Sequence, residues 1–292
     1  MSLVPYALSP VVIMFAYLQI LQGGLFIGSL YGFTAIGMQF IIGTTNKVHL
    51  TYGHICLLSA LITSSWLTRF ELSPIFLIPA IALSFSLAGW IVHPGSLFSN
   101  PKWSGTQRSF LLVSLGFALI FEDIGSYIWA LPSSTLYSSV TSLRLGTLLI
   151  PLIKLSSFLF CLFGALLLSL FIKKTLLGKA FRAWESAEAK VALVGVDQAG
   201  MGKKAMAIGF GFAGFAGALF ALSYSVSIHE GLDLTIKALC LAVIAGTLSP
   251  MSVFGIGLLL GVSESWISLI IGSQWSPVLS YSLFLIILKI MR

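Results

Sequence analysis

Long stretches of this chain contain no Asp, Glu, Lys or Arg, and they constrain its fold more than any other feature. The first covers residues 1–46, and others cover 48–68, 72–101, 124–143, 155–172, 205–229, 238–263 and 265–288. A helix that crosses the apolar core of a bilayer needs about 20 such residues. Charged residues make up only 9% of the chain, against about 25% in a soluble domain. The sequence therefore predicts an all-α, polytopic transmembrane helical bundle that forms a single domain over residues 1–292.

The positive charge of the chain is concentrated in one polar segment, residues 173–204. This segment holds seven of the sixteen Lys and Arg residues and three of the nine acids. Basic residues beside membrane helices favour the cytoplasmic side. This bias, rather than affinity for nucleic acid, accounts for the net charge of +7. The segment is expected to be a cytoplasmic loop that contacts a partner protein.

Placing residues 173–204 in the cytoplasm fixes the direction of about eight predicted membrane segments. They cover residues 20–43, 53–68, 74–92, 108–131, 148–172, 205–227, 237–248 and 252–268. Lys289 and Arg292 also favour the inside, so the last two segments must enter and leave by the outer face. Because a helix over residues 237–248 would rise only about 18 Å, these two segments are predicted to form a re-entrant hairpin. It is broken at Ser249-Pro250 and borders a translocation path.

Two features leave alternatives open. Residues 5–19 form either a separate short helix or an extension of the first membrane segment. Small residues recur every four positions, and such seams let helices approach closely in lipid. These seams pack either within the chain or against a second copy. They comprise Gly24, Gly28 and Gly32; Ala205, Gly209, Ala213, Gly217 and Ala221; and Gly257 and Gly261.

Two intramembrane features are candidates for a substrate pathway. Thr51, Tyr52, Gly53 and His54 open the second segment, where glycine permits a close backbone approach. A histidine entering a membrane segment is costly enough to suggest a function, although an interfacial histidine bonded to a neighbouring loop is the alternative. Glu264 lies alone in an apolar stretch, so it either faces an aqueous path or bonds another helix and holds the hairpin together.

The sequence lacks the motifs of the common catalytic sites. No GxSxG, HExxH, CxxC or phosphate-binding GxxxxGK[ST] pattern occurs, and the three cysteines are too dispersed for a metal site. We therefore predict no catalytic residue, no metal and no cofactor, and any ATP hydrolysis would belong to another subunit. The adjacent Glu122 and Asp123 point about 100° apart on a helix and are expected to form structural pairs.

Several motifs together resemble the permease family of branched-chain amino acid ABC transporters. The first is the run Leu21–Gly32 with Ala35-Ile36-Gly37, and His49-Leu50-Thr51-Tyr52-Gly53-His54 stands where the family carries Asn-Phe-Ala-His-Gly-Glu. Ala192-Leu193-x-Gly195-Val196-Asp197 resembles the cytoplasmic loop that docks the ATPase. Lys237-Ala238, Gly246, Ser249-Pro250, Gly261 and Glu264 resemble the closing hairpin. The resemblance extends over nearly the whole chain in the same order.

The resemblance implies the membrane-spanning permease of an ABC importer in the bacterial inner membrane. Its cargo would be a small hydrophilic solute, a branched-chain or other amino acid or an amide. Its partners would be cytoplasmic ATP-binding subunits, a second permease chain (identical or different) and an extracytoplasmic solute-binding protein. The implied ATPase-coupling residues are Arg182, Glu185, Glu188, Ala192, Leu193, Gly195, Val196 and Asp197. The implied pathway residues are Thr51, Tyr52, Gly53 and His54, followed by Glu264.

Departures from the family pattern fall near the substrate path and leave a competing function open. The family's Asn and Glu are replaced by His49 and His54, and its His by Tyr52. Ala245-Gly246-Thr247-Leu248 stands where a Gly-Gly-x-Gly run is usual, and Glu188-Ala189 stands one residue early. The competitor is an ion- or proton-coupled secondary transporter in which His54 and Glu264 titrate. A membrane enzyme lacks a catalytic cluster, and a scaffold leaves Glu264 without a role.

Overall fold

The computed structural model describes residues 10–70, 73–92, 107–129, 142–145, 148–176, 178–183, 198–246 and 249–275, and four single residues further on, 278, 281, 282 and 289. The α-helices of this part are α1 (Pro10–Thr45), α2 (Tyr52–Phe70), α3 (Pro74–Ile91), α4 (Gln107–Ile128), α5 (Leu152–Lys174), α6 (Gln198–Ser223), α7 (Gly231–Ala245) and α8 (Pro250–Ile270). Two strands, β1 (Ser142–Leu145) and β2 (Leu148–Pro151), and two 3₁₀ helices, Ile228–Glu230 and Ser273–Trp275, accompany them, and residues 178–183 are also helical.

Each predicted membrane segment has a corresponding helix, so the helical-bundle prediction is confirmed. Residues 10–19 belong to α1, whose 36 residues rise about 54 Å; the extension of the first segment is therefore the correct alternative. Within the described ranges, six helices are long and apolar enough to cross a membrane: Met14–Thr45, Pro74–Ile91, Ser109–Ile128, Leu152–Lys174, Gly200–Ser223 and Pro250–Ile270. The figure of about eight membrane segments stays a prediction, because α2 and α7 are not among the six.

A small β-hairpin departs from the all-helical expectation. β1 and β2 pair antiparallel, with Ser142 opposite Pro151 and Leu145 opposite Leu148. The segment predicted as helix from residue 148 therefore begins as a strand, and α5 starts only at Leu152. Only Gly146 and Thr147 separate the strands in sequence, and a two-residue linker that begins with glycine is typical of a tight hairpin.

Contacts along α1 define the directions of its neighbours. Gly37 lies against Gly209, and Tyr31 lies against Phe220, so α6 runs antiparallel to α1. The pairs Phe26–Phe158 and Phe33–Gly164 show that α5 runs parallel to α1. The starts of α1 and α5 therefore lie at the same end of the bundle as the end of α6, where Ser157 and Ser223 hydrogen-bond at 2.8 Å.

The small-residue seam of α1 packs within the chain. A Cβ on Gly24 would lie 2.7 Å from the Cα of Val262, and one on Gly28 would lie 2.7 Å from the carbonyl oxygen of Gly257. Such distances exclude any side chain larger than a hydrogen atom. The seam therefore brings the backbones of α1 and α8 into direct contact, which lets dispersion hold the two helices together without a hydrophobic driving force. Internal packing of this seam, one of the two alternatives, is confirmed.

α7 and α8 follow one another as an antiparallel pair, and whether this hairpin is re-entrant stays a prediction. α7 ends at Ala245 and α8 starts at Pro250, so the break at Ser249-Pro250 is confirmed. The Gln39 side chain donates a hydrogen bond of 3.0 Å to the Gly246 carbonyl, which places the turn beside the second half of α1. α8 then runs antiparallel to α1, from Gly32 beside Phe254 to Gly24 beside Val262. The 15 residues of α7 rise about 22 Å, less than the roughly 30 Å of a bilayer core.

Candidate functional site

Lys237 is the centre of a buried cluster of charged side chains between α1, α7 and α8. Its ammonium group lies 2.9 Å from a Glu264 carboxylate oxygen and 3.0 Å from an Asp233 carboxylate oxygen. Lys237 is only 4% exposed, and the Glu264 side chain is 14% exposed, so that ion pair is shielded from water, whereas the Asp233 side chain is 39% exposed. A charge at this depth is costly unless it is paired, and Lys237 has two carboxylate partners.

Two tyrosines extend this cluster, which we call the Lys237 cluster (Tyr31, Asp233, Lys237, Glu264 and Tyr281). The Tyr31 hydroxyl accepts a hydrogen bond of 3.3 Å from Lys237, whose ammonium also lies 4.6 Å from the Tyr31 ring centroid. The Tyr281 hydroxyl donates to a carboxylate oxygen of Asp233. The cluster therefore connects α1, α7 and α8 with Tyr281.

Glu264 was predicted to face an aqueous path or to hold the hairpin. The structure gives it the contact that the second alternative requires, since its carboxylate bridges from α8 to Lys237 on α7. Its side chain is 14% exposed, so most of it is shielded from solvent. Whether it also contacts the solute stays a prediction.

Tyr52 and Thr51 lie in the packed interior rather than in an open path. The Tyr52 hydroxyl has one proton to donate and lies 3.0 Å from the Thr34 carbonyl and 3.1 Å from the Gly209 carbonyl. The Thr51 hydroxyl donates to the Ser114 carbonyl at 2.6 Å. Both side chains are fully buried, and they join α2 to α1, α4 and α6.

Gly53 and His54 form the contact between α2 and the start of α7. The Gly53 amide donates to the Thr235 hydroxyl at 2.8 Å, and a Cβ on Gly53 would overlap the carbonyl oxygen of Gly231. A Cβ on Gly231 would in turn lie 2.5 Å from the His54 ring. The four residues predicted as a pathway thus come together as a packing junction, and their role in transport stays a prediction.

A carboxylate links His54 to the surface. Glu122 on α4 pairs with His229 at 2.9 Å through one oxygen, and its other oxygen lies 3.5 Å from His54 Nε2. That second distance is too long for a well-formed hydrogen bond, and both His54 ring nitrogens are buried without such a bond to a described residue. The expectation of a structural pair at Glu122 is confirmed, while His229 as its partner was not foreseen.

Two cavities differ sharply in chemistry. The larger, about 620 Å³, is an open groove between α1, α3, α5 and α6 with an almost wholly apolar lining. The smaller, about 170 Å³, lies beside the Lys237 cluster and reaches the first turn of α7. We call it the acidic cavity, and its polar lining consists of Tyr31, Tyr224, Ser225, Glu230 and Asp233. Polar groups that converge in a concave site are what orients a hydrophilic ligand, so the acidic cavity is the better candidate site.

The structure describes residues 173–176, 178–183 and 198–204 of the basic segment. Residues 178–183 are helical, and Phe181 is fully buried. The centroid of its ring lies 4.6 Å from the ring centroid of Phe40 on α1. Arg182 is exposed next to this anchor. The other predicted coupling residues, Glu185, Glu188, Ala192, Leu193, Gly195, Val196 and Asp197, lie outside the described residues.

Sequence reasoning missed most of the polar partners at the site. Asp233 and Lys237 are spaced i, i+4 on one helix, a spacing that places opposite charges side by side. This ion pair could therefore have been predicted from the sequence. Tyr31, His229 and Tyr281 meet their partners only through tertiary packing, and the sequence offers no spacing that would identify them.

The fold and this embedded charged site define the class of the protein, a polytopic helical membrane protein. The description "Branched-chain amino acid transport system / permease component" belongs to the family that matches residues 20–288. The chain is 27% identical to the high-affinity branched-chain amino acid transport system permease protein BraD of Pseudomonas aeruginosa, with 93% of each chain covered. It is 24% identical to the permease proteins LivH of Salmonella typhimurium and of Escherichia coli K12, with 94% of each chain covered. No solved structure matches.

The match covers far more than half of the sequence. This chain belongs to the branched-chain amino acid permease family, and the resemblance noted in the sequence is confirmed.

Proposed function

We propose that this chain is the membrane-spanning subunit of an ABC importer in a bacterial inner membrane, and that it passes a small hydrophilic solute with ATP hydrolysed by separate subunits. The family match over residues 20–288 carries the proposal. The names of its relatives favour an amino acid, and a branched-chain one first, as the solute. A paired charged cluster inside an apolar bundle agrees with this, since intramembrane ionisable groups commonly mark solute pathways.

Residues 173–204 are the proposed contact with the ATP-binding subunits. The helix over residues 178–183 is attached to α1 through Phe181 and Phe40, so a push on this segment would reach α1 directly. α1 packs along both α6 and α8, and it can pass the motion to the hairpin. Arg182 and the predicted contacts from Glu185 to Asp197 would then bind the ATPase, whose closure would tilt the bundle between outward-open and inward-open states.

The remaining partners follow from the same proposal. A second permease chain, identical or different, would complete the pore, and an extracytoplasmic solute-binding protein would deliver the solute. Family membership favours this ATP-driven importer over a gradient-driven carrier.

Affinity purification of the tagged chain from its native membranes, followed by an ATPase assay of the eluate, tests the proposal. We expect ATPase activity to co-purify and to be lost with Gly195→Leu. Gly178→Val should also abolish it, because a Cβ on Gly178 would overlap the Cα of Ile172 and displace the helix over residues 178–183. Leu112→Ala is the matched control, since Leu112 lies on α4, outside the basic segment, and is 70% exposed.

Thermal unfolding of each purified variant separates uncoupling from misfolding. A chain that elutes without ATPase activity, and that alone in liposomes takes up solute along an ion gradient, would refute the importer and establish the carrier.

A further inference from the structure

We propose that the acidic cavity binds the primary ammonium group of the solute, and that Glu230 is the carboxylate that receives it. This inference rests on the proposed transport function and adds to it a recognition site and a chemical requirement on the cargo. It depends on the position of the cavity, the balance of charge around it and one unpaired hydroxyl group.

The cavity lies where a solute could reach the packed interior of the bundle. Tyr31 of α1 and Leu57 of α2 form one side, and the end of α6 and the start of α7 form the other. Ser225 and Glu230 are exposed at its mouth. A volume of about 170 Å³ is small beside the 300–1,000 Å³ of a pocket that encloses a drug-sized ligand, so the cavity suits one polar end of a small solute.

Among the described residues, one carboxylate beside the cavity forms no ion pair. Asp233 and Glu264 share the ammonium group of Lys237. Lys154 places its ammonium 4.3 Å from the ring centroid of Tyr224. Glu230 forms no ion pair with any residue in the described ranges. Among the described residues, these three carboxylates are accompanied by the two lysines, and one further cation would balance them.

The environment of Glu230 increases its need for a cation. Partial desolvation, and then the negative charge of Asp233, raises the pKa of the Glu230 carboxyl group, and the positive charge of Lys237 opposes this only in part. A raised pKa means that the ionised form is held less favourably than in water. An ammonium group in the cavity would compensate both effects, whereas a carboxylate group would add a further negative charge.

The tyrosines supply the remaining contacts for an ammonium group. The Tyr224 hydroxyl oxygen is buried and has no hydrogen-bond partner in the part of the chain that the structure describes, although a buried polar group normally has one. It can accept a hydrogen bond from an ammonium N–H. The rings of Tyr31 and Tyr224 each already lie within 5 Å of a lysine ammonium, the geometry of a cation–π contact.

The cavity therefore predicts which solutes are accepted. A site built to bond an ammonium group rejects an analogue without it, because the carboxylate and the hydroxyl are then left unpaired. Amino acids with a free amino group satisfy this requirement. Neutral amides and simple carboxylic acids do not, which narrows the solutes that the sequence left open.

Binding of two probes of nearly equal shape tests the proposal. The purified full-length chain in lipid nanodiscs is titrated calorimetrically with 3-methylbutylamine, which has the ammonium group, and with 4-methylpentanoate, which has a carboxylate instead. We expect the amine to bind at least about tenfold more tightly than the acid. Glu230→Gln should weaken amine binding about tenfold or more, as loss of a hydrogen bond to a charged group does. Tyr224→Phe should weaken it by a smaller factor.

Asp123→Asn is the matched control, because Asp123 is an exposed acid on α4 that does not line the acidic cavity. Its amine affinity should equal that of the unmodified chain. No amine binding, equal affinities for the two probes, or an effect of Glu230→Gln below twofold would each overturn the proposal. The ATPase assay distinguishes this failure from failure of the importer: co-purifying ATPase activity with no role for Glu230 would overturn the recognition site alone.

Discussion

Gly53 permits the closest contact between α2 and α7, because a hydrogen atom replaces the side chain there. Its amide bonds the Thr235 hydroxyl, and the Thr235 hydroxyl also lies 2.8 Å from the Gly231 carbonyl. This contact sets the position of the first turn of α7, which carries Asp233 into the acidic cavity. A packing residue therefore controls the geometry of the candidate site without touching a solute.

Replacing Gly53 with alanine should destabilise the protein by about 1–3 kcal/mol, the usual cost of overpacking an interior. The added methyl group would lie 2.5 Å from the Thr235 hydroxyl and would overlap the Gly231 carbonyl. Thermal unfolding in detergent measures the effect. Gly23→Ala is the control, because a Cβ there meets nothing within 4 Å. Equal melting temperatures for the two variants would contradict the contact.

His49 predicts a dependence of stability on pH. It is buried between the rings of Phe110 and Phe210, at centroid distances of 5.5 and 5.4 Å, and burial lowers the pKa of His49 to about 4. Between about pH 6.5, the pKa of a free histidine, and about pH 4, the unfolded chain binds a proton that the folded chain does not. Folded-state stability should therefore fall as the pH is lowered through this window, by at most about 3 kcal/mol.

The variant His49→Phe removes the contribution of His49 to the pH dependence of stability. It also removes the buried Nδ1, which has no hydrogen-bond partner among the described residues. Its stability should therefore depend less on pH than that of the unmodified chain. Unfolding midpoints measured between pH 4 and 7 check this. Parallel pH profiles for the two proteins would show that His49 does not titrate on unfolding.

At the scale of elements, the α7–α8 hairpin shows what the sequence can and cannot predict. Its break at Ser249-Pro250 is local, because proline fixes its own backbone and disfavours helix in the residue before it. The seam between α1 and α8 is also readable, since glycines every four residues lie on one helix face. The partner of Glu264 is not local, since Lys237 reaches it only once α7 and α8 have packed. The sequence therefore left two roles for Glu264 open.

The pairing of α7 with α8 predicts a specific pattern of stability. Lys237→Met leaves two carboxylates without their cation, and loss of one member of a buried ion pair costs about 3–5 kcal/mol. The double variant Lys237→Met/Glu264→Gln removes one of those charges and should recover part of the loss. Lys173→Met, at an exposed lysine, should be neutral. A double variant no more stable than Lys237→Met would exclude this pair as the source of the stability.

In the whole molecule, the helix directions place each helix end at one or the other of the two ends of the bundle. The end of α6 meets the start of α5 through Ser157 and Ser223, and α8 ends near the start of α1, where Trp266 stacks on Tyr17. The helix over residues 178–183 lies at the other end, beside Phe40. α7 and α8 therefore leave from one end of the bundle and return to it, as any hairpin would, and the re-entrant character expected from charge stays a prediction.

This sorting predicts the labelling of single cysteines by a membrane-impermeant maleimide. In a chain with Cys240→Ala, the remaining Cys56 and Cys161 are fully buried and should not react. His229→Cys and Ile271→Cys, at positions 66% and 52% exposed, should label on intact cells stripped of their outer membrane. Leu176→Cys should label only after the inner membrane is opened. If Ile271→Cys behaved like Leu176→Cys, α7 and α8 would together make one crossing, and the hairpin would be wrong. If instead Leu176→Cys labelled on intact cells and the other two variants labelled only after opening, the hairpin would stand and the orientation inferred from the basic segment would be reversed. The contacts define which helix ends lie together, whereas only the charge bias defines which side of the membrane they face.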